Sequence, residues 1–125
     1  MKIRRVNLRV KSEEDHVLAW RALKVYRIRT RKGWESAYEV YESLSDEEEL
    51  DKALARLAHF DSVRWDEEKR AWTMRHGHVE VEVRCGEGGE CEATITVNAL
   101  AVLFSAVEDL MHKVSILEEK LREKE

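Results

Sequence analysis

The sequence predicts an α+β domain: an antiparallel sheet with the first and last helices packed on one face, and a helical insertion in the middle. Three observations predict it. Residues 79–97 hold two runs of alternating apolar and polar residues around a Gly-rich turn, the pattern of a hairpin with one buried face. Residues 98–121 repeat apolar residues at steps of three and four, the pattern of one long amphipathic helix. Residues 2–10 alternate again and lead into Ser12-Glu13-Glu14-Asp15, a strand followed by a capped helix. At 125 residues the chain suits a single domain with one core.

In the first strand Ile3, Val6, Leu8 and Val10 interleave with Lys2, Arg5, Asn7 and Arg9, with a phase shift near Arg4–Arg5. Ser12 is placed to cap the first helix, and Glu13, Glu14 and Asp15 crowd the positive end of its dipole. Val17, Leu18, Trp20, Ala22 and Leu23 make the apolar side of that helix. Tyr26, Ile28 and Thr30 return to alternation, a short strand that ends at the turn Arg31-Lys32-Gly33. Trp34, Ala37, Tyr38, Tyr41 and Leu44 then recur at helical spacing. Ser45-Asp46-Glu47-Glu48 reads as a second capping box, ahead of Leu50, Ala53, Leu54 and Leu57 in a helix ending near His59. Val63-Arg64-Trp65 and Ala71-Trp72-Thr73-Met74 flank a charged turn and predict a hairpin.

The next hairpin has a register that can be read directly. Val79, Val81, Val83 and Cys85 share one face, and Cys91, Ala93, Ile95 and Val97 share one face after the turn Gly86-Glu87-Gly88-Gly89-Glu90. Reflection about Gly88 pairs Cys85 with Cys91, Val83 with Ala93, Val81 with Ile95 and Val79 with Val97, so every apolar residue meets an apolar residue. The last helix carries Leu100, Leu103, Val107, Leu110, Val114, Leu117 and Leu121 as a heptad seam, widened in its first half by Ala99, Val102, Phe104, Ala106 and Met111. Such a helix is roughly 36 Å long against roughly 23 Å for a strand of this hairpin, so it should overhang its sheet and meet a partner.

Composition narrows the function classes. Charged residues make up 38% of the chain, and Gln and Pro are absent, with only Asn7 and Asn98 as side-chain amides. Abundant Glu, Lys and Arg with few thermolabile amides is a thermophile's signature. No run of eighteen apolar residues occurs, and Met1–Val10 lacks the apolar block of a signal peptide, so a cytoplasmic protein is expected. Residues 1–34 hold eleven Lys or Arg against three acids, net +8, while residues 35–125 hold eleven against twenty-three, net −12. The basic third (Arg4, Arg5, Arg9, Lys11, Arg21, Lys24, Arg27, Arg29, Arg31, Lys32) is a candidate phosphate-tracking surface or simply a solvated face. Aromatic interleaving is thin, so base stacking has little support.

No catalytic constellation emerges. His76, His78, Cys85 and Cys91 are the metal-like set, but Cys85 stands roughly 23 Å along a strand from His78, and the four cannot converge on zinc unless the strand breaks. No cofactor is expected. Cys85 and Cys91 face each other within reach of a disulfide; both a bridge and a reduced pair remain open. The reduced pair is favoured, because cytosolic disulfides are uncommon outside hyperthermophiles and a loop this short gains little entropy from closure. The Gly-rich turn joins two strands and is no phosphate loop.

The strand Val6-Asn7-Leu8-Arg9-Val10 running into Lys11-Ser12-Glu13-Glu14, then Trp20-Arg21-Ala22-Leu23, and the strand-to-helix passage Ile95-Thr96-Val97-Asn98-Ala99-Leu100-Ala101-Val102-Leu103 together resemble the small dimerisation subunit of the KEOPS complex, which makes threonylcarbamoyladenosine on transfer RNA. The resemblance covers about residues 1–25 and 76–121 of this single domain, and residues 26–75 stand as an insertion. Where the family's final helix tends to carry an Arg, an Asn-Ser pair and a second Arg, this chain has Phe104, Glu108-Asp109 and His112. It therefore resembles a divergent archaeal paralogue. That resemblance implies a non-catalytic assembly subunit, heterodimerising with a related small subunit and, through it, meeting the ATP-dependent threonylcarbamoyl transferase, with transfer RNA as a further partner. The alternative expectation is a free-standing RNA-binding module that uses the basic third; a small enzyme built on His76 and His78 ranks below both.

Overall fold

The computed structural model describes residues 1–10, 15–46 and 49–124. The elements in order are β1 (Lys2–Val10), α1 (His16–Val25), β2 (Arg27–Thr30), β3 (Gly33–Ser36), α2 (Ala37–Ser45), α3 (Leu50–Arg56), β4 (Ser62–Asp66), β5 (Ala71–His76), β6 (Val79–Cys85), β7 (Glu90–Val97) and α4 (Ala99–Glu123). The fold is α+β, and its main sheet has five strands in the order β1-β7-β6-β5-β4.

The sheet is mixed, not purely antiparallel as expected. β4 through β7 form an antiparallel meander, but β1 runs parallel to β7. The reason is connectivity. Each meander strand is tied to its neighbour by a tight turn that forces reversal, whereas β1 and β7 are separated by most of the chain and nothing local dictates direction. The β6–β7 register is the one that reflection about Gly88 gives, from Val79/Val97 to Cys85/Cys91. The phase shift at Arg4–Arg5 is a bulge: the β1–β7 register slips between Ile3 and Arg5, which returns Val6 and Leu8 to the face of Ala93 and Ile95.

One face of this sheet is the core. Val79, Val81, Val83, Cys91, Ala93, Ile95 and Val97 are buried on it, together with Ile3 and Met74. Ala19, Ala22 and Leu23 of α1, Val40 and Leu44 of α2, and Ala99 and Val102 at the start of α4 cover them. Spacing of i, i+3, i+4 puts Ala19, Ala22 and Leu23 on one stripe, and small alanines let α1 sit close to α4 and α2. Val17 and Leu18, expected on that apolar side, fall off the stripe and are exposed. The opposite face of the sheet is open and mixed in charge: Glu80, Glu82 and Glu92 share it with Arg5, Arg75 and Arg84. Arg84 Nε donates to Glu82 at 2.7 Å, and Lys69 Nζ lies 3.8 Å from the same carboxylate.

The insertion corrects several expectations. Trp34 lies on β3, not on the following helix, and is exposed; Gly33 at φ +108° turns the chain so that residues 33–36 pair back on β2. The helix begins only after Ser36, whose Oγ accepts from Glu39 N at 3.1 Å. Ser45 closes that helix, its hydroxyl donating to Tyr41 O at 2.8 Å. Glu47 and Glu48 of the expected capping box lie outside the described residues, and α3 starts from Glu49 and ends at Arg56, short of His59. Ser12, the expected cap of α1, also lies outside the described residues; Asp15 caps that helix, accepting from Val17 N at 2.7 Å. The hairpin at Val63 and Trp72 forms as β4–β5 and extends the sheet beyond β6.

A polar clamp holds the insertion together. Arg56, on α3, donates to Glu35, on β3, through Nε at 3.2 Å and through Nη2, and to Ser43 of α2 through Nη1. Thr30 donates to the same carboxylate, and Arg31 N donates to Arg56 O at 3.0 Å. Burial pushes the Glu35 carboxyl up, but hydrogen bonds from Arg56 and Thr30 and the charges of Arg56 and Lys32 outweigh it and hold it below the ordinary value. The guanidinium thus joins β3, α2 and α3.

A candidate protein interface on the last helix

The helix α4 begins at a defined point. Asn98 N donates to His78 O at 3.0 Å, anchoring the entry to the β5–β6 turn, and Asn98 Oδ1 accepts from Ala101 N at 3.2 Å as the N-cap. Ala99 and Val102 then bury against α1 and the sheet, with Leu103 half-buried. Beyond this first turn the helix leaves the domain. Every residue from Phe104 to Lys124 is exposed among the described residues, which is most of a helix roughly 37 Å long.

The exposed stretch is apolar along one line. Val107 is 53%, Leu110 62%, Val114 45%, Leu117 59% and Leu121 66% exposed, and Leu100 begins the line at 51%. Phe104 and Met111 flank it at 69% and 64%. Water covers a continuous hydrophobic seam here, which globular monomers rarely tolerate. In proteins most helical stability comes from packing of an amphipathic face, so packing on the seam is the physical means of holding it. Among the described residues Leu103 is half-buried against the core, and the other six residues of the heptad line are exposed.

The other sequence-derived residues scatter. Arg5 and Arg9 lie on the open sheet face and Arg4 at the β1 bulge; Arg4 and Arg5, with Arg84, Glu90 and Glu92, line a recess of about 720 Å³ beside the Cys85–Cys91 turn. Arg21 and Lys24 lie exposed on α1, with Lys24 Nζ 5.2 Å from the Tyr38 ring centre. Arg27, Arg29, Arg31 and Lys32 gather on the β2–β3 hairpin, where Arg27 donates to Trp34 O at 3.1 Å and Arg29 stands over the Trp34 ring at 5.8 Å. Arg31, Lys32 and Lys52 border a cleft of about 500 Å³ next to Arg56. Lys11 lies outside the described residues.

Cys85 and Cys91 are joined in a disulfide, not the favoured reduced pair, with Cα atoms 4.0 Å apart. Gly86 N bonds Glu90 O at 2.9 Å just beyond them, so the cysteines occupy the adjacent non-hydrogen-bonded site, where opposed side chains come closest. His76 and His78 are occupied in fold-building. Tyr26 Oη donates to His76 O at 3.0 Å and accepts from His78 N at 3.2 Å, and its ring packs edge-on against both imidazoles. That phenol, which sequence reasoning took only for a strand residue, pins β2 to the β5–β6 turn. Among the described residues no three His, Cys, Asp or Glu side chains converge as metal ligands, and no helix is long and apolar enough to cross a membrane. Compared with family models, with curated proteins and with solved structures, the chain matches none of them.

Proposed function

We propose that this chain is a non-catalytic assembly subunit and that α4 is one of its assembly surfaces. The observation that carries the reading is the apolar seam from Val107 to Leu121, exposed along its whole length on a helix that extends past its own domain. The resemblance of residues 1–25 and 76–121 to the small KEOPS subunit supplies the setting: heterodimerisation with a related small subunit, in the cytoplasm of a heat-loving archaeon, within a complex that places threonylcarbamoyladenosine on transfer RNA. The test is affinity purification of the tagged full chain from native lysate. Co-recovery of a small paralogue with a large ATP-binding transferase supports the setting; recovery of the chain without either overturns it.

A second reading rests on a separate observation. Arg27, Arg29 and Arg31 project from one exposed hairpin beside the exposed Trp34, a compact cationic and aromatic surface. A free-standing RNA-binding module would use it. That reading requires RNA affinity that falls steeply with salt and needs no protein partner, and that weakens when these three arginines become alanine.

A further inference from the structure

We propose that the occupant of the α4 seam is a second copy of this chain, docked in a parallel two-stranded coiled coil. The inference rests on the reading of α4 as an assembly surface and specifies what covers it. It leaves the edge strand β4 to any related subunit.

The heptad positions carry the argument. Leu100, Val107, Val114 and Leu121 occupy a, and Leu103, Leu110 and Leu117 occupy d. β-branched Val at the central a positions with Leu at every d is the core composition that favours two parallel strands. The flanks select orientation. In a parallel pair each g residue faces the e residue five positions further along the other helix. Ala106 then faces Met111, and Lys113 faces Glu118: a small residue against a large one, and a cation against an anion. In the sequence Lys120 stands in the same relation to Glu125. Because the pair is symmetric, each match occurs twice.

An antiparallel pair sets g against g and e against e. Lys113 and Lys120 would then meet only lysine or alanine, and Glu118 only glutamate, Phe104 or Met111, in any alignment of the described helices. The exposure of Met111 follows the same logic, since it is an e residue whose parallel partner, Ala106, is small. Ala99 is already buried in its own domain, so the paired segment runs from about Ala106 to the end of the helix. Both globular domains sit at one end of the coil.

The experiment is sedimentation equilibrium of the purified full chain, with three variants at exposed positions. The parent is expected at twice the chain mass. Lys113→Glu and Glu118→Lys each turn two attractive pairs into two repulsive ones, weakening the dimer about tenfold, and an equal mixture of the two restores it as a mixed dimer. Val114→Cys, at an a position that meets itself only in a parallel pair, is expected to cross-link quantitatively with oxidised glutathione. A parent that stays monomeric at every concentration overturns the second-copy assignment while the lysate purification above still stands or falls separately. A dimer indifferent to both charge reversals, or Val114→Cys that fails to cross-link, overturns the parallel arrangement.

Discussion

Replacing Leu110 by Asp puts a carboxylate in the middle of the α4 seam, and its effects on folding and on association should separate. In the isolated chain Leu110 is 62% exposed, so the substitution removes little buried surface, and the expected change in domain stability is within about 0.5 kcal/mol. In a paired seam the same position is buried. Covering the exposed part of one leucine contributes about 1–2 kcal/mol, and a symmetric dimer loses two of them. Each new carboxylate must also be stripped of water without a partner, at a cost of about 1–3 kcal/mol or more. The total comes to about 4–10 kcal/mol, which weakens association by roughly a thousandfold at the least. The assay is light-scattering mass across a dilution series, with denaturant unfolding followed by tryptophan fluorescence to report on the domain. Far-UV circular dichroism adds a signature: the projecting part of α4 loses its support and frays, while Trp20 and Trp72, packed on the core, keep their signal. Unchanged mass would refute the interface. Loss of the tryptophan transition would refute the claim that the seam lies outside the core.

Further outcomes follow from the rest of the fold. Arg56→Met strands the Glu35 carboxylate at 8% exposure and is expected to cost about 3–5 kcal/mol in chemical denaturation. Because the folded Glu35 carboxyl sits below its ordinary value of 4.5, the stability it contributes is complete above about that pH and drains away as pH falls through the lower folded value. Glu35→Gln should therefore flatten the acid limb of a stability–pH curve measured below 4.5 and leave its shape above pH 6 unaltered. Titration of the unfolded, unreduced protein should find no free thiol, and reduction of Cys85–Cys91 should lower stability by about 2 kcal/mol or less, the closed loop being short; two titratable thiols would remove the bridge. Gly77, at φ +55°, has the Tyr26 hydroxyl against the place where a Cβ would stand. Gly77→Ala should cost about 2 kcal/mol in thermal unfolding, and adding Tyr26→Phe should recover part of it; full additivity would mean that the phenol does not crowd the turn.

Much of the fold was legible because local sequence patterns answered local questions. The β6–β7 register could be read from period-two alternation, since a slip of one residue would turn Val79, Val81 and Val83 out to water. The β1 bulge showed as a missed beat at Arg4–Arg5. In the insertion, by contrast, Trp34 kept helical spacing with Ala37 and Tyr38 yet pairs in β3, because Gly33 lets the chain reverse and the β2 edge offers it hydrogen bonds. No periodicity could show the Glu35–Arg56 clamp either, because its two partners are distant in sequence and charged residues read as surface until folding encloses them.

For the candidate site, the sequence alone determined which residues make the seam: heptad spacing is a property of one helix and needs no neighbour to define it. Only the tertiary structure decided which of them the domain consumes. The short first turn of α4 satisfies α1 and the sheet with Ala99 and Val102, and β7 ends where the helix begins, so Val107, Leu110, Val114, Leu117 and Leu121 stay exposed among the described residues. Spacing marks an apolar stripe, whether it is core or interface. Which of the two it becomes depends on where the rest of the chain stops.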